Sequence, residues 1–98
     1  MIKVINKNNI ITISGHAGFD NYGNDIVCAS VSSIVITTVN IIMNLDNNAI
    51  IYTDDGNDIS IENIGNNNIV DIILNTMMEL LKDLQRQYKS NIKIESEE

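Results

Sequence analysis

Two segments of this chain, IVCASVSSIVITTVNIIMNL (26–45) and IVDIILNTMMELLKDLQRQY (69–88), repeat apolar residues at the spacing of one helical face, and each follows a pair of short β-branched runs. This pattern constrains the fold more than any other feature. In the first segment Val27, Val31, Ile34, Thr38, Ile42 and Leu45 share a stripe, which predicts a helix over 26–45 despite many β-branched residues. In the second, Ile69, Ile73, Met77, Leu80, Leu84 and Tyr88 form the apolar stripe and Glu79, Lys82, Asp83 and Arg86 the charged face, with Met77 and Met78 read as packing residues. The runs IKVIN (2–6) and IITIS (10–14) flank an Asn-rich turn, and AIIYT (49–53) and DISIE (58–62) flank DDGN. Both are hairpin patterns, because Asn and Gly tolerate the left-handed backbone that tight turns demand. NIKIE (91–95) reads as a last strand.

A sheet with one apolar face and two helices with one stripe each are best satisfied by stacking helices on sheet. The fold expected is therefore α/β, a small two-layer sandwich of about five mainly antiparallel strands and two helices in the order ββαββαβ. No Pro, Ser/Gly tract or internal repeat marks a boundary, so residues 1–98 read as a single domain. So short a chain buries one modest core and leaves part of its sheet thinly covered, which makes a homodimer the expected assembly.

Composition narrows the function classes. The hydrophobic fraction of 44% with regular patterning excludes a disordered chain, and uninterrupted apolar runs short of the ~20 residues of a bilayer span predict no membrane segment. MIKVINKNNIITIS lacks the features of a signal peptide, so the expected location is the cytoplasm. A net charge of −7 and the acidic tail IESEE argue against direct nucleic-acid binding and fit a basic protein or peptide partner.

The stretch GHAGFDNYGNDIVCAS (15–30) holds the only histidine and the only cysteine. Gly15, Gly18 and Gly23 make its backbone soft, and Asn24 or Asp25 is placed to cap the helix that follows. Cys28 then falls in the first helical turn, where unpaired N–H groups favour a thiolate and could serve an oxyanion. His16 ends a strand, and the loop can fold it back onto Cys28. Against this stands a simpler view, in which Cys28 is core and His16 a turn residue. Both readings stay open on residue types alone. Ser32, one turn past Cys28, could help orient the pair or a substrate. DDGND (54–58) lacks the ligand alternation of a calcium loop, and Asp20 with His16 and Asp25 lacks a further soft ligand, so no metal and no cofactor is expected.

GHA, then Gly23, then D-I-V-C-A-x-V-S, set between a hairpin and a long helix, resembles the Prp family of ribosomal-processing cysteine proteases. His16 and Cys28 match that family's catalytic pair, with Gly15, Ala17, Gly23, Asp25, Ala29, Val31 and Ser32 matching around them; Ser30 departs from the more usual Ala. The resemblance implies a homodimeric endopeptidase that removes an N-terminal extension from a large-subunit ribosomal protein, the one conventionally numbered twenty-seven. It implies Cys28 as nucleophile, His16 as general base and acid, and Gly15, Gly18 and Gly23 as joints of a flexible loop. A third residue is undecided: Asp25 could orient His16 or be consumed as the helix cap. The competing class is a non-catalytic dimeric module that docks on a basic protein.

Overall fold

A computed structural model describes residues 1–21 and 23–97. Tyr22, within the glycine loop, and Glu98, at the end of the acidic tail, lie outside the described residues. The chain runs β1 (Ile2–Lys7), β2 (Ile10–Ser14), α1 (Ile26–Leu45), β3 (Ile50–Asp54), β4 (Asp58–Asn63), α2 (Asn68–Gln87) and β5 (Ile92–Ser96). This is the expected order, with strand ends shifted by at most one residue.

Turn chemistry builds the two hairpins. Asn8 and Asn9 both take positive φ, 55° and 64°, and set the β1–β2 register in which Val4 faces Ile13. In the second turn the Asp54 carboxylate accepts from Gly56 N–H at 2.9 Å, and Asp55 accepts from the N–H groups of Asn57 and Asp58 at 2.9 and 2.6 Å. Those bonds, that of Asp58 foremost, hold the Asp55 carboxyl below its ordinary value. The two carboxylates serve the turn itself.

The five strands lie in the order β3-β4-β2-β1-β5, antiparallel throughout except for the parallel pair β1 and β5. Alternation puts Ile2, Val4, Ile11, Ile13, Ile50, Ile61 and Ile92 on one buried face. Both helices pack against that face, and all seven elements contribute to one core. The sheet's far side is left to polar residues such as Lys3 and Thr53 and to the exposed Ile51.

In α1 the buried stripe is Val27, Val31, Val35, Thr38, Val39 and Ile42. Thr38 meets the cost of burial by donating its hydroxyl to the Ile34 carbonyl at 2.7 Å. Ile34 is only partly buried, and Leu45, expected on the stripe, is 57% exposed at the helix end. The sequence reading of α2 needs a larger correction. Its buried residues are Val70, Leu74, Met77, Met78 and Leu81, while Ile69 and Leu80 face solvent. Apolar neighbours at 69/70, 73/74 and 80/81 left the rotation of the helix open by one residue, and packing chose the second of each pair. Met77 and Met78 are core, as expected.

The composition of α1 bears on the membrane expectation. Scattered Ser, Thr and Asn break the apolar runs of α1, yet the helix carries no charged side chain and reaches a mean hydropathy of 2.1, long and apolar enough to cross a bilayer by length and composition. Here it lies across the sheet, with one face buried against β-strands and α2.

Candidate active site

The segment between β2 and α1 is shaped by Asp25. Its backbone is extended (φ −80°, ψ 99°), and its Oδ1 accepts from the N–H groups of Val27 and Cys28 at 3.0 Å each. Its Oδ2 accepts from Phe19 N–H at 3.1 Å and Asp20 N–H at 3.5 Å. One carboxylate thus starts the helix and ties the loop to it. The Cys28 N–H above all, opposed by partial desolvation and joined by the N–H groups of Phe19, Asp20 and Val27, holds the Asp25 carboxyl below its ordinary value.

Of the two uses open to Asp25, the structure displays the cap: its oxygens accept from backbone N–H groups, and its bonds among the described residues do not include His16. They also correct the expectation of unpaired donors around the cysteine. The Val27 and Cys28 N–H groups are held by Asp25 Oδ1, and that of Ala29 bonds the Asp25 carbonyl at 3.1 Å. The donor aimed at the sulfur comes from the loop: Ala17 N–H lies 3.3 Å from Cys28 Sγ. This bond draws the residue after His16 onto the nucleophile candidate across eleven positions of sequence.

A cleft of about 720 Å³ opens between the loop, the start of α1 and the β3–β4 turn. His16, Cys28, Asp25, Ser32, Gly15, Gly18 and Gly23 all line it, so every site residue expected from the sequence borders one space. His16 is exposed, and Cys28 is half-buried and free of any disulfide. Apolar side chains, among them Ile2, Ile13, Val31, Val35 and Ile59, form its inner surface, and Asp54, Gly56 and Asn57 bring the hairpin turn to its rim.

The glycines differ in what they do. All three hold positive φ, but a Cβ at Gly18 or Gly23 would meet nothing nearby among the described residues, whereas one at Gly15 would collide with the Met1 carbonyl oxygen. Gly15 is therefore a close-approach residue as well as a left-handed one.

Two contacts escaped sequence reasoning. The Asn91 side-chain amide donates to the Ala17 carbonyl at 2.9 Å, and the rings of Phe19 and Tyr88 meet edge to face at 5.4 Å; Ala17 itself is buried in the core. Nothing in the spacing of residues 17 and 91 signals such a pairing; only the parallel placement of β5 beside β1 creates it.

Known proteins share this architecture. A solved structure of the Staphylococcus aureus ribosomal processing protease Prp, with a covalently linked product peptide, superposes with a TM-score of 0.84 at 29% identity, covering 98% of this chain and 97% of that one. A second, of Prp from the same organism with a substrate peptide, gives 0.82 at 25% identity over the same shares. The ribosomal processing cysteine protease Prp of S. aureus strain Mu50 is 34% identical over 87 residues, 86% of this chain and 82% of that protein. The family described as cysteine protease Prp matches residues 1–93. With the site and the sandwich on which it stands, these matches show that this chain belongs to the Prp family of cysteine proteases.

Proposed function

We propose that this protein is a ribosomal-processing endopeptidase in which Cys28 and His16 form a catalytic dyad, and that its substrate is the large-subunit ribosomal protein numbered twenty-seven, from which it removes an N-terminal extension. The observation that carries this reading is the 3.3 Å bond from Ala17 N–H to Cys28 Sγ, because it draws the His16 segment to the sulfur at the edge of a cleft that both residues line. The relatives named as ribosomal processing proteases support the substrate class. Membership in a protease family favours an enzyme over a non-catalytic docking module.

His16 takes the thiol proton of Cys28, and the sulfur attacks the scissile carbonyl carbon. The tetrahedral intermediate collapses to a thioester as His16 returns the proton to the departing amine. Water, deprotonated by His16, then splits the thioester and regenerates the thiol. Ala17 N–H, already directed at the sulfur, is the donor at hand for the oxyanion, and such a donor is typically worth ~3 kcal/mol in the transition state. Asp25 supports the pair through the loop it anchors, Ser32 borders the path of the peptide, and Gly15, Gly18 and Gly23 let the loop admit an extended chain.

A cytoplasmic homodimer that does not bind nucleic acid directly completes the reading. The exposed Ile36, Ile41, Met43 and Leu45 of α1 favour self-association, and the charge of −7 suits a basic ribosomal substrate. Incubation with the extended ribosomal protein is expected to release its N-terminal segment. Cleavage is expected to disappear in both Cys28→Ala and His16→Ala, with fold and sedimentation unchanged; an active variant of either kind would overturn the dyad.

A further inference from the structure

We propose that Asn91 is a positioning residue for the catalytic loop, acting on His16 and Cys28 through the backbone of Ala17. This role rests on the protease reading of the dyad. Ala17 is gripped on both sides: its N–H bonds Cys28 Sγ at 3.3 Å, and its carbonyl accepts the Asn91 side-chain amide at 2.9 Å. Its methyl group is buried, 2% exposed, so it cannot turn without opening the core. On either side stand Gly15 and Gly18, at φ 86° and 67°, which provide soft joints around the short His16–Ala17 segment. Two soft joints with a rigid grip between them make the grip decisive for where His16 points.

Asn91 is itself fixed by its backbone, not by the bond it lends. Its N–H bonds the Tyr88 carbonyl at 2.9 Å, and its carbonyl accepts Ile2 N–H at 2.8 Å. A substitution of the side chain leaves both of these bonds available and removes only the hold on Ala17. The amide is specific in kind, because a backbone carbonyl needs a donor: the isosteric carboxylate would face it with a second acceptor.

The test compares wild type with Asn91→Asp and Asn91→Ala, using Asn75→Asp on the exposed face of α2 as a charge control. In cleavage of the extended ribosomal protein, both Asn91 variants are expected to lose about tenfold or more in kcat with KM changed by less than about twofold, as misplacement of a reacting group does. Melting midpoints are measured alongside, and if Asn91→Asp does not fold, Asn91→Ala carries the comparison. Unchanged kcat, or a loss confined to KM, would overturn the positioning role. Cys28 is the only cysteine, so iodoacetamide labelling at pH 7 gives a readout independent of any substrate. Labelling is expected to slow severalfold in both variants as the sulfur loses a well-placed N–H, and equal or faster labelling would count against the proposal. If wild type cleaves nothing, the protease reading fails, and the labelling comparison alone decides the role of Asn91.

Discussion

Gly15 and Asp25 show how single residues set the site. At Gly15 a side chain would combine a left-handed backbone with a collision against the Met1 carbonyl. Gly15→Ala is therefore expected to destabilise the protein by about 1–3 kcal/mol, read as a lower urea midpoint with an unchanged slope. The same change at Gly23, where the space is open, is expected to cost less. For Asp25 the sign follows from its bonds. They favour the ionised carboxyl, so its value in the folded chain lies below the ordinary one of about 3.9; the stabilisation is complete above that value and is lost as pH falls through the lower, folded one. Wild type and Asp25→Asn are thus expected to differ in stability at pH 7 and to converge in acid, and a gap that stays constant with pH would rule out the carboxylate as its source. The cap was legible in the sequence, since an Asp stood immediately before an apolar periodic run. What its second oxygen does was not, because Phe19 and Asp20 return to it only through the fold of the loop.

At the scale of elements, the hairpins and helix ends were readable because each rests on local chemistry: Asn8 and Asn9 in one turn, Asp54, Asp55 and Gly56 in the other. Helix rotation is a tertiary property, and for α2 the doubled apolar positions hid it. The corrected face makes a sharp comparison of adjacent leucines. Leu81→Ala, which empties a fully buried site, is expected to cost about 2–5 kcal/mol, whereas Leu80→Ala at a site 46% exposed is expected to stay within about 1 kcal/mol. Chemical denaturation of the two variants checks it, and equal losses would return the helix to the rotation its periodicity suggested. The ion pair of Arg86 with Asp83 is exposed on the opposite side and contributes little to either outcome.

Across the whole molecule, stability is expected to be uneven. β1 and β2 are paired on both sides and their inward residues are buried, so their amides are expected to exchange slowest with solvent, and those of Gly18 and Gly23 among the fastest. Hydrogen exchange resolved by residue tests this, and a loop protected like the strands would contradict the soft joints at Gly18 and Gly23. The parallel pairing of β1 with β5, together with the bond from Ile2 N–H to the Asn91 carbonyl, joins the earliest strand to the latest one made. During translation, a chain elongated only to residue 90 already contains Cys28 and His16 but lacks the strand that closes the sheet beside their loop. Closing the sheet and placing the loop that carries His16 are thus one event, because a chain that stops before residue 91 has neither the partner of β1 nor the amide that holds the Ala17 carbonyl.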